Sequence, residues 1–173
     1  MKRKLGVILA LVFIIGIIAG CGTTQATVDN SSTNSKSSSS SSSSDKKQKL
    51  TDLAIGTTID LNGLKVTVDA VADGPKTLTG QPTKKITVTY KNESTVSKPY
   101  NEFDWKTENV AGDRKDTGMP FIDSSYATLQ SGEIAKGGTK TGDVYTESMD
   151  FTKVVYVPSF FSGDDQLIFW KVQ

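Results

Sequence analysis

The chain of 173 residues has no histidine and only one cysteine, Cys21. Without an imidazole there is no Ser-His-Asp triad, no histidine base titrating near neutrality and no imidazole metal ligand. A lone thiol cannot close an internal disulfide, so a folded domain of this chain must be held by its core alone. Neither charge sign dominates: 20 Lys+Arg stand against 19 Asp+Glu, a net of +1. That excludes the basic face of a nucleic-acid binder and a polybasic membrane patch. Beyond the first twenty residues, no segment carries the 3.6-residue periodicity of an amphipathic helix.

The N-terminus is patterned differently. Lys2, Arg3 and Lys4 precede a nearly unbroken apolar run from Leu5 to Ile18, which ends in Ala19-Gly20-Cys21. A basic head, an apolar stretch and small residues at the cut define an export signal. The run of about 14 residues falls short of the roughly 20 that span a bilayer as a helix. Cys21 directly after the small pair reads as a bacterial lipoprotein site, with cleavage between Gly20 and Cys21 and a diacylglyceryl group on the thiol. An N-acyl chain on the freed amine is left open. Two acyl chains hold stably where one does not. An uncleaved anchor, or a secretory signal with an incidental thiol, are the alternatives on the same residues. On the lipoprotein reading the protein sits at the extracytoplasmic face of the cell membrane, needs no other cofactor, and has its one thiol consumed. Losing three basic residues leaves 17 against 19, a net charge of −2.

Residues 21–49 form the lipidated cysteine and a linker. Ser, Thr, Asn, Gln and Lys dominate, with eight serines in a row from Ser37 to Ser44. Such a segment buries too little surface to offset the entropy of ordering, so disorder is expected. As a flexible coil it would span roughly 30 Å, at about 5.5 Å × √n.

Residues 50–173, about 124 of them, have the size of one domain. Leu64, Val66, Val68 and Ala70 alternate with Lys65, Thr67 and Asp69; Ile86, Val88 and Tyr90 alternate with Lys85, Thr87 and Thr89; Phe103 and Trp105 flank Asp104. Period 2 means strands with one face in a core and one in water. Val154–Val157 and Leu167–Trp170 are apolar on both faces and read as central strands, or as strands with a covered outer face. Asn62-Gly63 predicts a two-residue hairpin, and Met119–Leu129 a short turn or helix. The fold expected is all-β: an antiparallel, immunoglobulin-like sandwich of about seven strands.

The succession of Ile55-Gly56-Thr57-Thr58-Ile59-Asp60-Leu61, Gly63–Val68, Ile86–Glu93, Phe103-Asp104-Trp105-Lys106, Gly112-Asp113, Gly132-Glu133-Ile134, Lys136-Gly137-Gly138 and Gly142–Tyr145 resembles a family. It is similar to the telokin-like domain of unknown function at the end of many Gram-positive lipoproteins, related to immunoprotective extracellular proteins. The resemblance covers most of Leu53 to Val172. It implies an immunoglobulin-like sandwich and no catalytic residues. Thr146-Glu147-Ser148 is more polar than the strand the family has there, which points to a sheet edge.

Candidate contact residues follow from this layout. Phe160-Phe161 cannot both point inward from one strand, so at least one is expected to meet a partner unless both pack around a bend. Tyr90, Tyr100, Phe103, Trp105 and Trp170 read either as core or as a platform for a glycan or peptide. Asp164-Asp165 with Asp143 or Asp150 match no calcium loop and read as solvated carboxylates. The sequence therefore points to a non-catalytic binding module at the cell surface, with an unknown protein, peptide or wall component as ligand. The alternative is an envelope enzyme using paired Asp/Glu carboxylates on wall or lipid substrates.

Overall fold

The computed structural model describes residues 26–28, 50–118, 122–159 and 167–172. The short segments rich in Val, Ile, Thr and Tyr become strands, and Gly- and Asn-bearing turns separate them. Twelve strands are formed among the described residues: β1 (Ala26–Val28), β2 (Leu53–Ala54), β3 (Thr58–Leu61), β4 (Leu64–Asp73), β5 (Lys84–Asn92), β6 (Lys98–Tyr100), β7 (Trp105–Asn109), β8 (Arg114–Asp116), β9 (Gly132–Ile134), β10 (Thr139–Thr146), β11 (Phe151–Tyr156) and β12 (Ile168–Lys171). The excess over seven comes from short strands such as β1, β2, β6, β8 and β9. A 3-10 turn, Glu102–Asp104, precedes β7.

One sheet runs β1-β3-β4-β5-β10, the other β2-β12-β11-β7-β8, and β6 pairs with β9 as a separate ribbon. All pairings are antiparallel except β2 on β12. Ile59, Leu61, Leu64, Val66, Val68, Ile86, Val88 and Tyr90 of the first sheet pack with Trp105, Val154, Tyr156, Ile168 and Trp170 of the second. The all-β sandwich expected from period 2 is what forms.

Several local readings hold. Leu61 pairs with Leu64, and both Asn62 (φ 54°) and Gly63 (φ 81°) are left-handed, as a type I′ hairpin requires. β11 is the central strand of its sheet and β12 is flanked on both sides. On their outer face, the Arg114 guanidinium and the Lys153 ammonium lie over the Phe169 ring, 5.4 and 5.3 Å from its centre. Glu108 holds both cations, at 2.8 and 3.1 Å. Burial alone would raise the Glu108 carboxyl, but the two cations together outweigh it and hold it below its ordinary value. β10 ends at Thr146 on the edge of its sheet, as the polar Thr146-Glu147-Ser148 suggested.

Two readings change, and one open choice is settled. A bulge between Val68 and Ala70 leaves Asp69 unpaired, so Ala70 is exposed and Val71 packs on the core in its place. Of the short turn or helix expected near here, the segment 123–126 takes the turn: Asp123 accepts from the N–H groups of Ser125 and Tyr126, through its carboxylate and carbonyl respectively. Within the expected linker, Ala26–Val28 forms β1 on the free edge of β3, with Ala26 opposite Leu61 and Val28 opposite Ile59. Period-2 reading missed β1 because three residues carry no recognisable alternation.

Candidate functional site

The most distinctive chemistry lies where the 3-10 turn meets β7. Asn101 caps that turn by accepting the Phe103 N–H. The turn breaks the alternation that placed Phe103 and Trp105 on one strand face. Trp105 is fully buried, whereas Phe103 is 64 % exposed and Asp104 is buried between them. The expectation that Phe103 shares the core face with Trp105 is thus corrected: a turn advances residues by a smaller angle than a strand, so Asp104 and Trp105 are both buried and Phe103 points out.

Asp104 is buried because it has work to do for the backbone. Its carboxylate accepts the Ser159 N–H at 3.2 Å and, more weakly, the Ser159 hydroxyl at 3.5 Å, while its carbonyl accepts the Val157 N–H at 2.7 Å. Burial raises its carboxyl to about 6, partly opposed by the Ser159 hydrogen bonds. Beside it, Trp105 donates its indole N–H to the Tyr90 hydroxyl at 2.7 Å. Burial pushes the Tyr90 and Tyr156 phenols up. The Tyr156 hydroxyl makes no hydrogen bond of good geometry, although Tyr90 and Asp104 both perturb it. Trp105 is the hub, with ring centres 4.6 Å from Tyr156, 6.0 Å from Trp170 and 6.2 Å from Tyr90. Tyr90, Trp105 and Trp170 are therefore core, with Tyr100 half-buried against Tyr90 at 5.5 Å. Of the aromatic platform, Phe103 is the ring that lies mostly in solvent.

Phe103 stands at the mouth of a small cleft against the β10 edge. Glu102, Thr117, Gly118, Thr128, Leu129, Asp143, Val144 and Tyr145 complete its walls. The cleft encloses about 10 Å³, room for about one water molecule. It is far below the ~300 Å³ of a small-molecule pocket. Leu129 straps it shut from one side, its N–H donating to the Asp143 carbonyl at 2.7 Å. Asp143 is already engaged, accepting the Thr87 hydroxyl at 2.6 Å and facing Lys85 at 3.8 Å.

The strap explains a glycine. A Cβ on Gly142 would lie 2.8 Å from Leu129 Cδ1 and 3.0 Å from Leu129 Cα. Gly142→Ala is expected to push the strap off β10, at a cost of about 1–3 kcal/mol. Urea unfolding and faster exchange of the Leu129 amide would record it; an unchanged Leu129 amide would show that the strap does not depend on the close approach.

Cys21, Gly20, Phe160, Phe161, Asp164 and Asp165 lie outside the described residues. Asp150 accepts the Ser148 hydroxyl at 3.2 Å. Among the described residues no group of three acidic or cysteine side chains is placed to hold a metal, and no helix is long and apolar enough to cross a membrane. Sequence reasoning passed over Asp104; its one signal was a carboxylate between two aromatics.

No family model matches the chain, and no curated protein matches it. Among solved structures it is similar to the yjhA protein from Bacillus subtilis, with a TM-score of 0.54 and 19 % identity over 70 % of this chain and 99 % of that one. It is also similar to the secreted protein MPT63 from Mycobacterium tuberculosis, with a TM-score of 0.49 and 14 % identity over 66 % of this chain and 84 % of that one. At 19 % identity the likeness to yjhA is one of fold.

Proposed function

We propose that this protein is a lipid-anchored, extracytoplasmic binding module, in line with the telokin-like lipoprotein domains its sequence resembles. Ile18-Ala19-Gly20-Cys21 behind an apolar run supports the anchor, a diacylglyceryl group on Cys21. The observation that carries the binding role is Phe103, a large aromatic held out of the core by a capped turn at the rim of a cleft. An aromatic side chain kept in water by a rigid scaffold is a common anchor of interfaces. Its partner on this reading is a protein, peptide or wall component; Phe160 and Phe161 remain the second candidate contact. The envelope-enzyme alternative would draw on Glu102 and Asp143, which line the same cleft, but the Thr87 and Lys85 contacts commit Asp143.

Two variants test the two halves. Cys21→Ser is expected to shift the protein from the membrane to the soluble fraction or to block its processing; a processed, membrane-bound Cys21→Ser chain would overturn the anchor. Photo-crosslinking from position 103 on intact cells should capture one discrete species. Phe103→Ser should abolish capture from the neighbouring position 128 without loss of stability. Capture that Phe103→Ser leaves unchanged would refute the role of the aromatic.

A further inference from the structure

The strand β1 has a consequence for how the module stands on its membrane. Four residues, Gly22–Gln25, separate Cys21 from Ala26. Fully extended, that stretch reaches at most about 17 Å, at ~3.4 Å per residue. Through the rest of the linker to Leu50 the same lipid would lie at the end of a coil spanning roughly 30 Å and extensible to about 100 Å. Where β1 is paired, the short route sets the height of the sandwich.

The site that β1 occupies is an open sheet edge. In the two-residue hairpin Leu61 and Leu64 exchange both hydrogen bonds, and by alternation so do Ile59 and Val66. The N–H and C=O of Asp60 therefore face away from β4, toward Thr27. An unpaired edge of this kind accepts any extended segment of suitable reach. Its occupant is the chain's own tether.

Sheet order supplies the direction. In β1-β3-β4-β5-β10 the tether and the Phe103 cleft on β10 lie at opposite edges, about 19 Å apart at four spacings of ~4.8 Å. We infer that Ala26–Val28 is a clamp: paired with β3, it holds that edge down near the lipid and turns the Phe103 edge outward. The inference rests on the lipid-anchor reading for its membrane. Three residues of edge pairing contribute little, so the clamp is reversible, and its release lengthens the leash and frees the sandwich to rotate.

Proline at position 27 removes the N–H that faces Asp60, whereas alanine keeps it. In the unlipidated chain from residue 21 onward, amide exchange at Asp60 should be roughly tenfold faster in Thr27→Pro than in wild type, with Thr27→Ala unchanged. Equal exchange in wild type and Thr27→Pro would overturn the clamp. For orientation, the lipidated chain is placed in phosphatidylcholine–phosphatidylglycerol vesicles carrying an acceptor lipid, with a donor dye on Thr58→Cys or on Thr141→Cys. Energy transfer should be stronger from position 58 than from 141, and Thr27→Pro should erase the difference. Equal transfer from both positions in the Thr27 chain would refute the orientation. If the chain does not associate with vesicles, the anchor reading fails, while Asp60 exchange still decides the clamp.

Discussion

Trp105→Ala is expected to cost about 3–5 kcal/mol, the range for emptying a large aromatic site in a core. Against the roughly 5–15 kcal/mol that hold a typical domain, it would lower the melting temperature by roughly 10–20 °C. Two losses combine. The cavity opens where Tyr156, Trp170 and Tyr90 all converge on one ring, and the Tyr90 hydroxyl loses its indole donor in a buried place. Trp105→Phe separates the two, since it retains most of the ring contact and removes the donor; it should fall between wild type and Trp105→Ala. Urea unfolding of the three proteins is the measurement. A cost below about 1 kcal/mol for Trp105→Ala would mean that the ring cluster collapses onto the vacancy.

Asp104→Asn is expected to stabilise the protein at pH 7 and to remove one limb of its pH profile. The Asp104 carboxyl is raised from 3.8 to about 6 by burial, so the folded state holds a proton that the unfolded state releases. Its contribution is most favourable below about pH 4, falls as pH rises from about 4 to about 6, and stays reduced above. Asparagine keeps an acceptor for the Ser159 N–H and carries no charge. The rise from 3.8 to about 6 sets a ceiling of about 3 kcal/mol; with solvent screening, about 1–2 kcal/mol is expected at pH 7 and close to nothing at pH 4. Glu108, held low by Arg114 and Lys153, works in the opposite sense, adding stability that is lost on acidification. Only the difference between wild type and Asp104→Asn isolates the Asp104 limb. Equal gains at pH 4 and pH 7 would show that the benefit is not one of charge.

The long strands were legible because their alternation matches their burial: Leu64, Val66 and Val68 and Ile86, Val88 and Tyr90 all lie in the core. The Asn62-Gly63 turn was legible because few residue pairs adopt two successive left-handed conformations. What escaped was set by tertiary contact. The bulge at Asp69 shifts the second half of β4 by one residue through its pairing with β5, and no local pattern announces it. Phe103 was misplaced because Phe-Asp-Trp fits a strand as well as a turn. The decision came from Ser159, 55 residues away, whose N–H draws the Asp104 carboxylate inward. The candidate site inherits that difficulty: its cleft is made by Leu129 lying on Gly142, a contact between segments that look unremarkable separately.

The pairing of β2 with β12 bears on the order in which the molecule can assemble. Leu53 lies opposite Trp170, and the Trp170 indole donates to the Thr57 carbonyl across 113 positions of chain. β12 also fills the place between β2 and β11. Until it is available, β11 has an open flank, and the core lacks Ile168 and Trp170. Contacts this remote make folding slow, because the chain must close a long loop before it gains from them. A ribosome releases β12 after every other strand of the sandwich, so the emerging polypeptide stays unable to complete its core throughout synthesis. On the proposed lipid-anchor reading, that delay suits a chain threaded through an export channel before it folds.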